Sequence, residues 1–263
     1  MLPLPDGVRQ EIGEVDYIVH MGAETHVDRS IIEPRPFVYS NVIGTFEMLE
    51  FARSVANLKK FIYMSTDEVF GPSDDSYAFK EWDRYKSSTP YSASKAGGEE
   101  LCVAYHNTYR LPTIIVHTMN VFGERQHPEK FIPKMVKQLL NDDEITLYWD
   151  EATKAYSSRC WIHARNVADA VLFLIEKGVV GDKYNVIGER RTNYELACLA
   201  RDAFEMHLTI KVVDAKQARP GHDLHYALNG LKMAKLGWKA PVDFENSFVR
   251  TIKWFAEHRT WLG

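Results

Sequence analysis

The stretch Lys60-Phe-Ile-Tyr-Met64 and the polar residues that directly follow it, Ser65-Thr-Asp-Glu-Val-Phe-Gly71, decide the fold class of this chain. A short apolar run that gives way to polar residues is typical of a buried strand whose carboxyl end carries functional groups. Similar runs alternate with segments of helical spacing: strands are predicted at 16–21 and 112–117, and helices at about 36–56 and 91–109. This alternation predicts an α/β fold in which helices cover both faces of a parallel sheet.

Side chains suited to acid–base chemistry cluster around the end of this strand and the start of the next helix. Tyr91 and Lys95 are four residues apart, so they share a helix face, and a nearby ammonium favours the phenolate that acts as a base. Asp67 and Glu68 supply a potential acid and a potential base, and Thr66 supplies a hydroxyl. Together these groups suit the oxidation of a sugar alcohol coupled to the loss of water.

The character of the sequence changes after Gly123, where loops lengthen and aromatic residues and arginines become more frequent. In this part, helices are predicted at 130–140, 166–177, 192–203 and 245–258, and a late strand at 184–187. The pattern indicates a second, smaller unit after the main sheet.

The composition is that of an ordinary soluble globular protein, with 45% hydrophobic and 26% charged residues. The net charge of −4 gives no basic surface that would indicate a nucleic-acid partner, so an anionic ligand must be held by a few placed cations. Cys102, Cys160 and Cys198 are scattered, which indicates neither a metal site nor a disulfide framework and fits a reducing compartment. We find no signal peptide after Met1 and no apolar run long enough to span a bilayer, so we expect a cytoplasmic protein without a membrane partner.

The chain resembles the extended short-chain dehydrogenase/reductases, and among them the nucleotide-sugar 4,6-dehydratases, which include the dTDP-glucose 4,6-dehydratases. The resemblance covers nearly all of the 263 residues. Its specific part is the Thr-Asp-Glu triplet that begins at Thr66, because epimerases and decarboxylases of the same superfamily generally carry other residues at one or both carboxylate positions. The other motifs are Gly22-Ala-Glu-Thr-His-Val-Asp-Arg-Ser30, Asn41-Val-Ile-Gly-Thr45, Tyr91-Ser-Ala-Ser-Lys95, Asn120-Val-Phe-Gly123, His127-Pro-Glu-Lys-Phe-Ile-Pro133 and Arg219-Pro-Gly-His-Asp223.

The resemblance implies a Rossmann-like parallel sheet, truncated on its N-terminal side, together with a smaller C-terminal substrate lobe. Residues 1–123, with about 160–188, would form the NAD-binding domain, and residues 124–159 and 189–263 the substrate-binding lobe. It also implies a homodimer that pairs the helices near 37–56 and 91–109. Candidate contacts, which could equally belong to the core, are Phe46, Leu49, Leu101 and Tyr105.

The resemblance further implies an enzyme that dehydrates a nucleotide-hexose, dTDP- or UDP-glucose, to the 4-keto-6-deoxy sugar with NAD as its cofactor. Thr66, Asp67, Glu68, Tyr91 and Lys95 match the catalytic positions of the family. Tyr91, assisted by Lys95, would take the O4 proton of the sugar while hydride leaves C4. Glu68 would then remove the C5 proton as Asp67 protonates the departing C6 hydroxyl, and hydride would return to C6.

Further positions match the ligand contacts of the family. Those expected to bind NAD are Met21, Gly22, Ala23, Glu24, Thr25 and Ser40, together with Tyr91 and Lys95. Those expected to bind the nucleotide sugar are Thr25, Thr66, Asn120, Glu129, Lys130, Arg159, Asn193, Arg219 and His222. Arg159 and Arg219 would flank the diphosphate, since a guanidinium matches phosphate oxygens. Two positions depart from the family, because Val121 stands where a second Asn is usual and Cys160 where Asp is usual.

The glycine-rich loop that opens such domains is absent from the sequence. The pattern Gly-x-x-Gly-x-x-Gly normally lets backbone amides and a helix N-terminus meet the cofactor pyrophosphate, and Gly7, Gly13 and Gly22 do not have this spacing. The chain could be a fragment of a longer product, could be completed by another polypeptide, or could be a shortened relative that turns over poorly. We expect a fragment of a longer product, because the remaining motifs are intact. The strand predicted at 16–21 would then expose a sheet edge.

Two other functions stay open at this point. A UDP-sugar epimerase or decarboxylase of the same superfamily would use Tyr91 and the cofactor but not both carboxylates. A truncated, non-catalytic nucleotide-sugar-binding protein would account for the absent glycine loop. The choice between dTDP and UDP is also open, because thymine and uracil differ by one methyl group, which discriminates by only about tenfold to a few hundredfold.

Overall fold

Strands and helices alternate along the chain, as its sequence predicts. A computed structural model describes residue 7 and residues 11–73, 77–151, 153–215 and 226–263. The strands are β1 (Tyr17–His20), β2 (Lys60–Thr66), β3 (Thr113–Thr118), β4 (Asn120–Phe122), β5 (Ile145–Asp150), β6 (Ala155–Tyr156), β7 (Ser158–His163), β8 (Lys183–Val186), β9 (Glu189–Thr192) and β10 (Ile210–Asp214). The α-helices are α1 (Val27–Ile32), α2 (Arg35–Val38), α3 (Gly44–Ser54), α4 (Pro90–Tyr109), α5 (Phe131–Leu140), α6 (Ala164–Lys177), α7 (Asn193–Phe204), α8 (Leu231–Leu236) and α9 (Phe244–Glu257). A π-helical turn, Tyr39–Ile43, joins α2 to α3, and 3-10 turns occupy Asp67–Phe70 and Arg259–Leu262.

The main sheet of the described residues is parallel and has the strand order β1-β2-β3-β8. β2 lies inside it, where Ile62 pairs with Val19 on one side and with Ile114 on the other. β1 lies at the edge, and its residues alternate between exposed and buried. The predicted Rossmann-like parallel sheet is thus confirmed, and the strand predicted at 16–21 has the edge position expected for it.

Helices cover both faces of this sheet because the side chains of a strand alternate between the faces. Phe61 and Tyr63 of β2 pack against α3 and α4 in one core cluster. Ile62 and Met64 point the other way and pack with α6 in a second cluster. Burial of each large apolar side chain contributes about 1.5–3 kcal/mol. A slip of one residue would move each set to the opposite face, where it would no longer fit the side chains of its own helices, so this packing fixes the register of β2.

A further core lies beyond Gly123 and is built mainly by α5, α7 and α9. Helix α9 contributes buried side chains three and four residues apart, namely Phe244, Phe248, Ile252 and Phe255. Two small sheets, β4-β7-β9 and β10-β5-β6, flank this core, and they complete the smaller lobe that the sequence predicts. Phe122 and Trp161 pack in this second-lobe core, although the predicted division assigned them to the NAD-binding domain. The domain boundaries remain a prediction.

The sequence did not predict helix α1 or the strands of the two small sheets. None of the helices in the described part of the chain is long and apolar enough to cross a membrane. Within the same residues, no group of three or more His, Cys, Asp or Glu side chains is arranged to hold a metal ion.

Candidate active site

The end of β2 passes into a 3-10 turn that presents two carboxyl groups. The Thr66 hydroxyl caps this turn, since it accepts a hydrogen bond from the Glu68 amide (3.3 Å) and donates one to Asp67 Oδ1 (3.0 Å). Gly71 follows the turn with a φ of 80°, and a Cβ at this position would lie 2.3 Å from the Lys86 carbonyl oxygen. Only glycine fits there, so the backbone geometry sets where the two carboxyl groups lie.

Helix α4 begins just before Tyr91 because its N-terminus is capped by reciprocal hydrogen bonds. Thr89 Oγ1 accepts from the Ser92 amide (3.2 Å), and Ser92 Oγ accepts from the Thr89 amide (3.1 Å). Pro90 occupies the first helical position, where its missing N–H costs nothing. Tyr91 and Lys95 then follow one turn apart, and both are buried beside β2.

Asp67 is a buried carboxyl group that keeps its proton more readily than an ordinary aspartate. It is 4% exposed, and among the described residues its Oδ2 has no hydrogen-bond partner. Burial raises its pKa to about 6, while the hydrogen bond from Thr66 and the charge of Arg159 oppose this rise. A carboxyl group with such a pKa can donate a proton to a leaving group near neutral pH.

The Tyr91 phenol and the Lys95 ammonium are arranged differently from what their spacing suggested. Burial raises the pKa of Tyr91 far above its usual range, and the charge of Glu68 raises it further. The Lys95 ammonium donates a hydrogen bond to the Met64 carbonyl oxygen (2.7 Å) and lies 4.3 Å from the centre of the Tyr63 ring. Lys95 is therefore held by β2, and the burial of the phenol outweighs any effect of the ammonium.

A cavity of about 720 Å³ opens in front of these residues. Tyr91, Lys95 and the carboxylate turn form its polar end, and Thr25 lies on the same lining. Its apolar lining comes mainly from α6, with contributions from β1 and the loop that follows it, and includes Val19, Met21, Val167 and Val171. An apolar wall beside a phenol and an ammonium fits the flat nicotinamide ring and the ribose hydroxyls of NAD. Tyr91, Lys95 and the loop after β1 would hold this end of the cofactor.

A second cavity, of about 630 Å³, adjoins the first. The two share the residues Thr25, Glu68, Asn120, Lys130 and Phe131. The predicted substrate-binding residues that line the second cavity are Thr25, Asn120, Glu129, Lys130 and Arg159. It is also lined by residues that the sequence did not single out, among them Arg29, Lys134, Tyr148 and Tyr226. Because Glu68 is common to both cavities, a ligand in the second cavity can reach the catalytic turn.

Side chains just before α5 tie the loop after β1 to the second cavity. Lys130 Nζ donates hydrogen bonds to the Thr25 carbonyl oxygen (3.0 Å) and to its hydroxyl (3.2 Å). Glu129 forms an ion pair with Arg29, and its carboxylate lies 3.7 Å from His26 Nε2. These contacts join the two halves of the site across the cleft between the sheet and the second lobe.

Some predicted ligand-binding residues do not reach either cavity. Those that line neither are Gly22, Glu24, Ser40 and Asn193. Asn193 instead begins α7, where its amide donates to the Ser157 carbonyl oxygen (3.1 Å). Arg219 and His222 lie outside the described residues. The ligand contacts of all six residues remain predictions.

Asn41 was not predicted as a site residue, yet it shapes the loop after β1. It is fully buried in the π-helical turn between α2 and α3. Its Oδ1 accepts from the Glu24 amide (2.8 Å), and its Nδ2 donates to the Glu24 carbonyl oxygen (3.0 Å) and to Ser94 Oγ (2.9 Å). These bonds hold the loop against α4 beside Lys95. The available signal was an asparagine within an apolar helical pattern, and π-helical turns are frequent at functional sites.

A Rossmann-like sheet whose strand β2 ends in two carboxyl groups, beside a tyrosine and a lysine of helix α4, defines this chain as an enzyme of the short-chain dehydrogenase/reductase class. The sequence profile of the NAD dependent epimerase/dehydratase family matches residues 5–187, and the chain belongs to this family. The predicted resemblance is therefore confirmed, and NAD is the cofactor of the family.

Individual relatives agree with this assignment. The chain is 35% identical to a probable dTDP-glucose 4,6-dehydratase of Sinorhizobium fredii, over 95% of this chain and 75% of that protein. It is 37% identical to a dTDP-glucose 4,6-dehydratase of Streptomyces antibioticus, over 98% of this chain and 75% of that protein. Among solved structures, the dTDP-glucose 4,6-dehydratase of Streptomyces venezuelae with NAD bound matches with a TM-score of 0.87 and 36% identity, covering 96% of this chain and 77% of that one.

Proposed function

We propose that this chain catalyses the NAD-dependent dehydration of a nucleotide-hexose, dTDP- or UDP-glucose, to the 4-keto-6-deoxy sugar. The observation that carries this proposal is the capped turn after β2, which brings Asp67 and Glu68 into the same cavity as Tyr91. Oxidation alone needs a tyrosine and a lysine, whereas loss of water needs an acid and a base in addition. The names of the relatives, dTDP-glucose 4,6-dehydratases, support the same reaction.

The residues divide the chemistry according to their environments. Tyr91 takes the O4 proton of the sugar, and Lys95 follows it one turn later in the same helix, with its ammonium held by the Met64 carbonyl oxygen. NAD, held by Tyr91, Lys95 and the loop after β1, would supply the hydride acceptor for C4 and the hydride donor for C6. Glu68 removes the C5 proton, which the 4-ketone has made acidic, and returns a proton to C5 when C6 receives the hydride. Asp67, whose pKa is raised by burial to about 6, gives its proton to the C6 hydroxyl, which leaves as water.

The second cavity supports a substrate linked through a diphosphate. Lys130, Lys134 and Arg159 line it, and ammonium and guanidinium groups bind phosphate oxygens. Arg159 also lies over the Tyr226 ring, with its guanidinium carbon 5.0 Å from the ring centre. We infer that the nucleotide diphosphate occupies this cavity and that the hexose lies at the junction, next to Glu68.

A double substitution, Asp67→Asn with Glu68→Gln, tests the proposed reaction against epimerisation or decarboxylation. Formation of the 4-keto-6-deoxy product, followed by NMR in deuterated water, should fall by at least about a hundredfold, because acid–base groups contribute about 10²–10⁴ in rate. Oxidation at C4 should persist, since Tyr91 and Lys95 are intact.

The exposed neighbours Asp143 and Glu144 provide a matched control, because they form another adjacent pair of acids far from the turn in sequence. Asp143→Asn with Glu144→Gln should leave product formation unchanged. If the Asp67 and Glu68 variant kept full turnover, the dehydratase assignment would be wrong and an epimerase or decarboxylase would be favoured.

We further propose that two copies of the chain form a homodimer through the surface of α2, the π-helical turn and α3. Apolar side chains that are 36–49% exposed lie on this surface: Val38, Tyr39, Ile43 and Phe46. A contiguous exposed apolar surface of this kind indicates a protein partner. Of the contacts considered from the sequence, Leu49 and Tyr105 are buried in the core, Leu101 packs against it, and only Phe46 remains exposed.

We propose the cytoplasm as the compartment of this activity. Cys102, Cys160 and Cys198 are free thiols. Burial raises the pKa of the Cys160 thiol to about 11, and the pKa of Cys102 is raised further, so both stay protonated and unreactive. Three free thiols support a reducing compartment.

A further inference from the structure

Glu99 is a fully buried carboxyl group behind the catalytic residues, and the proposed chemistry does not use it. It lies on α4, four residues after Lys95 and eight after Tyr91, so the three side chains share one side of the helix. Four donors surround its oxygens: Ser65 Oγ at Oε1, and Tyr85 Oη, His117 Nε2 (3.0 Å) and Lys183 Nζ (3.5 Å) at Oε2. This many donors is what an ionised carboxylate accepts.

The hydrogen bonds of Asn185 determine which protons His117 carries. Asn185 Nδ2 donates to the carbonyl oxygens of Phe79 (2.9 Å) and Asn229 (3.2 Å), so its Oδ1 must be the atom that faces His117 Nδ1 (3.0 Å). His117 Nδ1 therefore carries a proton and donates it. His117 Nε2 faces Glu99, and a carboxylate can only accept, so Nε2 carries a proton as well.

The charge of Glu99 is consistent with this arrangement. Burial by itself would raise the pKa of Glu99, but the charge and hydrogen bond of His117, together with Lys183 and Ser65, hold it at about 2. Lys183 is fixed in turn between two aromatic rings, with its ammonium 4.6 Å from the ring centres of both Trp82 and Tyr85. The buried Glu99 carboxylate thus has two cationic neighbours, His117 and Lys183.

Glu99 and Lys95 hold two consecutive residues of β2 from two consecutive turns of α4. Glu99 binds the Ser65 hydroxyl, and Lys95 binds the Met64 carbonyl oxygen (2.7 Å). The next residue of the strand is Thr66, which caps the turn that carries the two catalytic carboxyl groups. The position of that turn relative to Tyr91 therefore depends on this pair of contacts.

We propose that Glu99 is the positioning residue of this site: an ionised carboxylate, matched by a doubly protonated His117, that fixes the carboxyl end of β2 and keeps Lys95 an ammonium. Its effect on turnover rests on the proposed function, whereas the two protonation states do not. Lys95 needs such support because burial lowers its pKa to about 8, and the charge of Glu99 is the largest effect that opposes this.

Titratable groups face Glu99 and Lys95 from every element packed around these two residues. For Glu99 they are Lys95 and Cys102 of α4, Tyr63 of β2, His117 of β3, Lys183 of β8 and Tyr85 of the segment before α4. For Lys95 they also include His20 of β1, whose pKa is lowered to about 4 by burial and by the charge of Lys95. His20 is therefore neutral near pH 7 and adds no second positive charge.

The protonation of His117 can be read directly in the unsubstituted chain. With ¹⁵N-labelled histidine, both ring nitrogens of His117 should give the signals of protonated nitrogens at about pH 7. The signals are identified by their loss in His117→Gln, among the ten histidines of the chain. In Glu99→Gln, His117 should lose the proton at Nε2. A lone pair at Nε2 in the unsubstituted chain would overturn the proposal by itself, even if Glu99→Gln did not fold.

The titration of Lys95, followed by the NMR signal of its ¹³C-labelled ε-carbon, tests the second half of the proposal. Glu99→Gln should lower the midpoint by about one pH unit or more, because a close opposite charge shifts a pKa by about 1–3 units. Glu100→Gln, the same change at an exposed position of the same helix, should leave the midpoint unchanged. An unchanged midpoint in Glu99→Gln would refute the role of Glu99. Confirmed protonation states in a chain without dehydratase activity would instead count against the proposed function.

Discussion

Asp67 and Glu68 are neighbours in sequence, yet the structure gives them different chemical tasks. Asp67 is buried against the strand end, and burial raises its pKa to about 6. Glu68 lies where the two cavities meet, beside Lys130, whose pKa is lowered by burial while the charge of Glu68 opposes this shift. A pair of carboxyl groups with different surroundings can start a reaction as one acid and one base. The assignment of roles therefore follows from burial and not from the residue types.

Burial of Asp67 also has a consequence for stability. The folded chain binds the Asp67 proton more tightly than the unfolded chain, because its pKa rises from 3.8 to about 6. As pH rises through this window, the unfolded state gives up the proton first, so the free energy of unfolding falls. Asp67→Asn removes this effect, and it should raise the free energy of unfolding by about 2–3 kcal/mol at about pH 8 and by less than half of that at about pH 4.5.

Urea denaturation at these two pH values measures the difference. Asp143→Asn, at an exposed position, serves as the control and should show no pH-dependent increase in the free energy of unfolding. A gain in the free energy of unfolding from Asp67→Asn that is the same at both pH values would mean that folding does not raise the pKa of Asp67.

At the scale of elements, the contact between α4 and β2 decides how the catalytic groups meet. Gly98 allows the two elements to approach, because a Cβ there would lie 2.3 Å from Tyr63 Oη and 2.8 Å from the Asn41 carbonyl oxygen. Tyr63 Oη in turn donates to the Lys95 carbonyl oxygen (3.2 Å). Helix α4 thus packs tightly against the Tyr63 side chain and the π-helical turn within one turn of Lys95.

Gly98→Ala should push α4 away from β2. Alanine is favoured over glycine inside a helix by about 1 kcal/mol, but overpacking of a rigid contact costs about 1–3 kcal/mol. The steric cost of the added methyl group should exceed the gain in helix propensity here, because the obstructing atoms are a backbone carbonyl and a hydrogen-bonded phenol. We expect a decrease of about 1–2 kcal/mol in the free energy of unfolding, measured by urea denaturation.

Gly97 offers a matched control one residue earlier in the same helix. A Cβ at Gly97 would meet a methyl group of Val42 at 3.2 Å, and a side chain can adjust where a backbone carbonyl cannot. Gly97→Ala should therefore be neutral or slightly stabilising. Equal destabilisation by both substitutions would contradict the close approach at Gly98.

At the scale of the whole molecule, two cores and the cleft between them create the site. The main sheet supplies the catalytic turn and Tyr91, and the second lobe supplies Arg159 from β7 and Lys134 from α5. The cleft is open enough to hold both a dinucleotide end and a nucleotide sugar, since its two cavities are about 720 and 630 Å³. The surface of α2 and α3 is the one proposed above for the homodimer.

The proposed homodimer can be tested on that surface. Tyr39 and Phe46 lie two helical turns apart and are 49% and 38% exposed. Tyr39→Glu with Phe46→Glu would place charges in a desolvated interface, so light scattering at micromolar protein should show a monomer, whereas the unsubstituted chain should be a dimer. Leu231→Glu, at an exposed leucine of α8, should leave the dimer intact. A monomeric unsubstituted chain would rule out this interface.

Local patterns were sufficient for the predicted strands at 60–64 and 112–117 and for helix α4, which the structure extends by no more than two residues. The same patterns assigned the triplet from Thr66 to the end of a strand, which the structure confirms. They could not place Ser40 or Asn193, because a residue's distance from a cavity depends on packing between elements. They also missed Glu99 and Asn41, since a polar residue in an apolar helical pattern does not reveal its partners.

The sequence by itself determined the alternation of the main strands and helices and the acids that follow β2, because these depend on neighbours within a few residues. The tertiary structure decided that Lys95 binds Met64, that Asp67 holds its proton and that Glu99 meets His117 and Lys183. These contacts join residues from β2, β3, β8 and α4, which are far apart along the chain. Their energies depend on burial and on charge at a distance of a few ångströms, and both exist only after the elements have packed.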